Sequence, residues 1–375
     1  MGAQPGLGPA GADLAGEYFA QLLDRFEQAA AAVDGACNLE LAMAGLRVRL
    51  RAAGEGLRSG LLAPFEHLAC QEVGDPDLTI SLFDTASTGI EPPAPLWEPI
   101  AAAPGTNPVA RLRSERACVL AAAGSRGLTA VLSAEGIAVF HLPDAAAIAA
   151  SERAAPIREA LQLLMAERGR LMTHAGAVGR DGRGVLIVGR GGSGKSTLAL
   201  ACALAGLEIV ADDYVLLEPD SLTAHAMQST AKLTADSAAR LGIAAGAIDA
   251  AGFEPTLEGP AKALVDLRRL APATLGPRLE ISAIVAPTLK PHGPAHMAAA
   301  CGFGEAEPTM RPISAADALR AVAPSTIVQA GFGDGGGSLA TLADLVRRVP
   351  GYSLELSPDP AANAAAVDRL VAELA

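Results

Sequence analysis

Between Leu14 and Phe26 the apolar residues Leu14, Tyr18, Phe19, Leu22, Leu23 and Phe26 recur at three- and four-residue intervals, the spacing of one face of an α-helix. The pattern predicts an amphipathic helix from about Ala12 to Val33, and the Gly/Pro-rich residues 1–10 before it read as frayed. The period then changes to two. Leu46, Val48 and Leu50 alternate with other residues, as do Leu78, Ile80 and Leu82, which is the signature of strands with one buried face. Two more β-like stretches, RACVLAAAG and LTAVLSAEGIAVFHL, follow with turn residues between them. Residues 1–150 thus read as an α+β N-terminal domain with a mainly antiparallel sheet. The proline-rich loop GIEPPAPLWEPIAAAPGTNP, carrying the only tryptophan, Trp97, interrupts it.

A second domain is expected over residues 151–375, opened by a helix in APIREALQLLMAERGRLM. THAGAV and GVLIVG read as two strands, and GVLIVGRGGSGKSTLALACALAGLEIVADDYVLL runs strand, loop, helix, strand. RLEISAIVAPTLKP and PISAADALRAVAPST continue the alternation, and the last residues from Thr341 read as helix, strand, helix. GFGDGGGSLAT reads as a glycine-rich surface loop, and no internal repeat is found.

Half of the 375 residues are apolar and 3% are aromatic, a globular composition. The formal net charge of −12 argues against nucleic acid as a partner. Cys37, Cys70, Cys118, Cys202 and Cys301 are far apart and form no CxxC pair. They read as small buried hydrophobes in a reducing compartment, not as a zinc site. The first residues show no signal-peptide pattern and Gly6 stands where a myristoylation signal needs Ser or Thr. No stretch is apolar and long enough to span a bilayer. The expectation is a cytoplasmic protein without a membrane partner.

Chemistry enters at residues 189–196. Gly189, Arg190, Gly191, Gly192, Ser193, Gly194, Lys195 and Ser196 satisfy G-x-x-x-x-G-K-[ST], with an apolar run before them and a helical run after. Glycines let successive N–H groups converge on a phosphate, and the helix N-terminus adds partial positive charge. Lys195 would reach the β- and γ-oxygens and the Ser196 hydroxyl would ligate Mg²⁺, with Thr197 completing the loop. None of Asn38, Asn107 and Asn363 precedes a lysine, so a guanine-reading Asn-Lys-x-Asp segment is missing and the pattern leans toward ATP.

Asp212 and Asp213 stand in or at the end of the next strand, LEIVADDYVLL, at the edge where a parallel sheet receives ligands. Adjacent strand residues face opposite ways, so the two make no simple clamp unless the strand ends there. One reading has a metal ligand and a base toward a hydroxyl; the plainer one has two solvated acids in a turn. His174 lies on the strand before the loop strand. Lys232 in MQSTAKLTADS falls in an expected loop and could contact phosphate or substrate. Lys262, Arg268 and Arg269 could neutralise developing charge. Each of these four also reads as an ordinary surface cation. Asp84, Ser87 and Thr88, with Trp97 nearby in sequence, read either as an acceptor surface or as a turn beside a buried tryptophan.

The stretch HAGAVGRDGRGVLIVGRGGSGKSTLALACALAGLEIVADDYV resembles the catalytic core of bacterial HPr kinase/phosphorylase and its relatives. The resemblance rests on His174, the loop Gly189–Ser196 and Ala211-Asp212-Asp213 at that family's mutual spacings. It implies a P-loop kinase domain of the HPr kinase/phosphoenolpyruvate carboxykinase type and transfer of the ATP γ-phosphate to a serine hydroxyl. By it Asp212 is the general base, Asp213 with Ser196 supports Mg²⁺, and His174 sits near the transferred group. Two departures stand out: Thr197 replaces the family's Glu, and the RGLGI segment that supplies a metal carboxylate and partner contacts is not found. The chain is closer to HPr-kinase-related proteins found beside peptide-modification genes. The expected acceptor is therefore a serine of a peptide or protein, a ribosomal peptide precursor among the candidates, and the expected assembly a homo-oligomer. A small-molecule kinase, or an ATP-binding regulatory module without acceptor chemistry, remains the alternative.

Overall fold

The computed structural model describes residues 13–71, 74–97, 109–122, 127–148, 150–255, 260–289, 307–329 and 335–374. Residues 1–10, the proline-rich loop beyond Trp97, Cys301 and residues 331–334 lie outside the described residues. The chain divides into two compact units, one of Met1–Ala42 and Leu46–Glu167, the other of Met43–Gly45 and Arg168–Ala375.

In the first unit the expected helix is α1 (Leu14–Ala32), capped by the Asp13 carboxylate, which accepts from the Gly16 N–H. Tyr18, Phe19, Leu22 and Phe26 are buried in one cluster with Phe83, Val119 and Val139, and Leu23 packs against its edge. The strands are β1 (Cys37–Met43), β2 (Leu46–Ala53), β3 (Leu78–Asp84), β4 (Val109–Arg113), β5 (Ala117–Ala122), β6 (Leu128–Leu132) and β7 (Ile137–Leu142). Two short helical turns, α2 (Glu55–Leu57) and α3 (Thr85–Thr88), follow β2 and β3. The order across the sheet is β1-β2-β3-β7-β6-β5-β4. Most of the described pairings are antiparallel, as expected, with β4–β5, β5–β6 and β6–β7 forming a meander, but β3 runs parallel to both β2 and β7. Alternation reports which face of a strand is buried, not its direction, and long connections before and after β3 allow the crossovers.

The helices α4 (Ala150–Ala154) and α5 (Arg158–Ala166) close this unit. The apolar face of α5 (Ala160, Leu161, Leu164, Met165) is buried on β6 and β7. The helix expected to open the second domain therefore packs with the first unit, and the boundary falls at Glu167.

The second unit contains β8 (Leu171–Thr173), β9 (Gly176–Arg180), β10 (Arg183–Ile187), α6 (Lys195–Leu204), β11 (Glu208–Ala211), β12 (Val215–Glu218), β13 (Thr223–His225), β14 (Thr230–Thr234), α7 (Ala235–Arg240), β15 (Lys262–Asp266), α8 (Leu267–Leu270), β16 (Arg278–Thr288), β17 (Thr309–Ile313), α9 (Ala315–Gln329), α10 (Gly335–Arg348), β18 (Gly351–Glu355) and α11 (Pro360–Glu373). Nine strands form one mixed sheet in the order β11-β9-β10-β16-β13-β12-β8, with β18 on β16 and β17 on β18. β10, β16 and β18 are parallel, so their C-terminal ends lie on one edge. β14 and β15 form a two-stranded sheet of their own.

The run GFGDGGGSLAT is a surface loop in expectation, yet its described part from Gly335 is the first turns of α10. Leu342, Leu345 and Val346 downstream are buried and supply the apolar face that holds this helix in place. Of the four described cysteines only Cys118 and Cys202 are buried; Cys37 and Cys70 are half-buried, contrary to the reading of all as core residues.

After its polar first turn helix α6 is apolar, and Leu198 to Ala203 are all buried. Leu198, Leu200 and Cys202 share a cluster with Val185 and Ile187 of β10, Ala231 and Leu233 of β14, and Val367 and Leu370 of α11. The loop strand β10 is set by a two-residue hairpin with β9. Asp181 and Gly182 take φ of 52° and 78°, the positive values that let such a turn follow the strand twist. Gly179 and Gly184 face each other across this ladder, and a Cβ on Gly179 would collide with the Arg183 carbonyl. Gly179→Ala is expected to cost about 1–3 kcal/mol of stability by urea denaturation; an unchanged midpoint would mean that the hairpin is not this closely packed.

Candidate active site

Residues 188–194 connect the end of β10 to the start of α6, so the glycine-rich segment lies between strand and helix. Gly189, Gly192 and Gly194 take positive φ. Gly194 has a second constraint, since a Cβ there would stand 2.6 Å from Leu356 Cδ1. The first N–H groups of α6 lack intrahelical acceptors. Lys195 folds its ammonium back over the loop, donating to the carbonyls of Gly189 at 2.7 Å and Arg190 at 3.2 Å. The buried Ser193 hydroxyl finds no partner among the described residues. The Thr197 hydroxyl donates to Ser237 Oγ at 2.9 Å and so ties α6 to the start of α7.

Strand β11 ends at Ala211, and Asp212 and Asp213 stand in the bend after it. The strand end frees the two acids from strict opposition, and both are buried. Their surroundings differ. Asp213 Oδ1 accepts from His174 Nε2 at 2.8 Å and its Oδ2 is 2.7 Å from Lys232 Nζ. Burial acts upward on the Asp213 pKa, but the Lys232 charge and the His174 bond outweigh it and hold this acid well below the ordinary carboxylate value. Asp212 Oδ2 accepts from the Lys232 main-chain N–H at 3.1 Å, while Oδ1 has no partner among the described residues. Burial, with the Asp213 charge adding, pushes Asp212 up to about 6, and hydrogen bonds from Lys232 and Ser196 only partly offset this.

His174 is in an irregular link between β8 and β9, not on a strand as expected. Its main-chain N–H donates to the Thr326 hydroxyl at 3.2 Å and its ring lies 5.3 Å from that of Tyr214. Lys232 is on strand β14 and not in a loop. The signal was present in TAKLT, where buried Ala231 and Leu233 alternate with half-buried Thr230, Lys232 and Thr234. For Lys232 burial acts downward, and the Asp213 charge more than compensates, so the ammonium stays charged. Lys195 is lowered by burial, with Asp213 and Asp212 opposing and Lys262 and Lys232 adding. Lys195, Lys232, Asp212 and Asp213 thus share one electrostatic site, with Lys262 close enough to be felt.

Arg268 is paired with Asp266 at 2.8 Å; Arg269 extends into solvent 3.9 Å from the same acid. In the first unit the Asp84 carboxylate caps α3 through Ser87 N and Oγ, both at 2.9 Å, and Thr88 Oγ1 returns to the Asp84 carbonyl at 2.6 Å. Trp97 packs 5.3 Å from the Tyr18 ring. These residues form a helix cap and a core edge.

The residues fit a phosphate group: positive-φ glycines, an orphan Ser193 hydroxyl, a loop lysine and a helix N-terminus converge. They also fit Mg²⁺ shared with a phosphate, which needs only one or two protein oxygens. Among the described residues no group of three or more His, Cys, Asp or Glu side chains could cage a metal alone, and no helix is long and apolar enough to cross a membrane.

No family model matches the chain, and no curated protein sequence matches it. Among solved structures, the Hpr(Ser) kinase/phosphatase from Coxiella burnetii is similar over 54% of this chain and 98% of that chain, at 17% identity and a TM-score of 0.27. This is a distant structural similarity, and the reading of the site rests on its own residues.

Asp212 makes stability depend on pH. Its folded value near 6 lies above the ordinary 3.8, so the folded state binds more protons between these values and stability falls as pH rises through about 4 to 6. In the protein free of nucleotide and metal, Asp212→Asn should add roughly 1–3 kcal/mol at pH 8, shrinking toward nothing below pH 4. Asp213→Asn, which strips Lys232 and His174 of their anion, should lose stability at neutral pH. Urea titrations at several pH values check both, and a destabilised Asp212→Asn at pH 8 would contradict the placement.

Proposed function

We propose that the chain is an ATP- and Mg²⁺-dependent kinase of the HPr-kinase type that phosphorylates a serine hydroxyl of a peptide or protein. The observation that carries this reading is the pair of adjacent aspartates in unlike settings beside the phosphate-loop lysine. Asp213 is hydrogen-bonded to His174 and ion-paired with Lys232, whereas Asp212 accepts through one oxygen and its other, buried oxygen meets no donor among the described residues. A phosphate clamp alone needs no second buried acid with an oxygen lacking a donor; a base toward a hydroxyl does.

In this reading the loop amides and Lys195 hold the β- and γ-phosphates in line. The Ser196 hydroxyl would ligate Mg²⁺, and Asp213, with both oxygens engaged, would reach the ion through water. Mg²⁺, when bound, would neutralise charge on the β- and γ-oxygens. The acceptor oxygen attacks the γ-phosphorus, the bond to the β-bridging oxygen breaks, and the hydroxyl proton passes to Asp212 Oδ1. His174 is a positioning residue that fixes Asp213 and, through it, Lys232.

The test is incubation of the purified protein with γ-labelled ATP, Mg²⁺ and peptides or products of neighbouring genes. Label is expected on a serine. Label on a metabolite alone, or release only to water, would overturn the acceptor class. Asp212→Asn should lower transfer by about 10²-fold or more and leave ATP binding within a few-fold; lost binding would sink the base assignment.

A further inference from the structure

Strand β14 brings a second ammonium to the site of the loop lysine. Lys232 Nζ stands 2.7 Å from Asp213 Oδ2, and the side chain is only half-buried, with 26% of it exposed. Its own main-chain N–H holds Asp212 Oδ2 at 3.1 Å. The same residue therefore touches both acids, one through its side chain and the other through its backbone. Its charge is also felt at Lys195. An ammonium has three donors, and Asp213 takes one, which leaves two for a ligand.

The charge count gives these donors a task. Lys195 and Lys232 together balance the two carboxylates, and Lys262 adds positive charge, so the site can receive a triphosphate tail without net repulsion. Interactions aimed at a phosphoryl group in a dry site are worth more than at the surface. The aspartate pair alone would not require the lysine to remain open to solvent.

We propose that Lys232 is a second phosphate-binding residue, which donates to the terminal phosphate of a nucleoside triphosphate while Asp213 holds its ammonium in place. The proposal rests on the reading of the site as an ATP site and adds the residue that distinguishes three phosphates from two. Lys195 grips the tail at the loop, and Lys232, carried by a different sheet, reads its end.

Affinities for ATP and ADP, measured by titration calorimetry in EDTA so that no transfer occurs, test this. Lys232→Met should weaken ATP about tenfold or more and leave ADP within about twofold, and Lys232→Arg should restore part of the preference by keeping a cationic donor. Equal losses for both nucleotides, or none for either, would overturn the role, because a lysine that only neutralises Asp213 does not count phosphates. A wild-type protein that binds neither nucleotide would overturn the ATP reading itself. Should Lys232→Met fail to fold with Asp213 left short of a cation, the double variant Lys232→Met/Asp213→Asn removes both charges and is expected to show the same ATP-specific loss.

Discussion

Two carboxylates on consecutive residues, both buried at the end of one strand, set the terms for everything around them. At an effective dielectric near 20 a pair of like charges about 5 Å apart repels by roughly 3 kcal/mol, before either is charged for leaving water. The fold answers with groups from distant parts of the chain. Lys232 comes from β14, His174 from the link between β8 and β9, and Lys195 from the first turn of α6. Lys232 and His174 are half-buried against Asp213, and Lys195 is buried against the loop carbonyls within the field of both acids.

The compensation is uneven, and its unevenness has chemical content. Asp213 receives the Lys232 ammonium and the His174 ring and stays an anion, while Asp212 receives a main-chain N–H and a hydroxyl. One strand end thus yields two carboxylates whose proton affinities are pushed apart, which is the general way in which acid–base roles are divided between like residues. The geometry depends on β11 stopping at Ala211; one more strand residue would turn the acids to opposite faces.

Much of this was legible in the sequence. The helical period at Leu14–Phe26, the strand–loop–helix around Lys195 and the helix–strand–helix end of the chain all follow from local pattern. The direction of β3 did not, because pleat alternation is the same in parallel and antiparallel sheets. The ownership of α5 was hidden too, since an amphipathic face states that it needs a sheet but not which one. At the site, the loop and acids were readable by spacing. Lys232 was undervalued because TAKLT is flanked by polar turn residues and its partners lie far away in sequence.

The two-stranded ribbon has a consequence for how this site can change over generations. The acids are anchored to the nine-stranded sheet, and Lys232 to a two-stranded ribbon, β14–β15, that is separate from that sheet. The connection between Thr234 and Lys262 includes α7, whose Ser237 accepts from Thr197 of α6, so a change in its length would be felt at the phosphate loop. Cation and anions sit on separate ladders, yet the Lys232 main-chain N–H on Asp212 ties them, so a change in one is felt by the other.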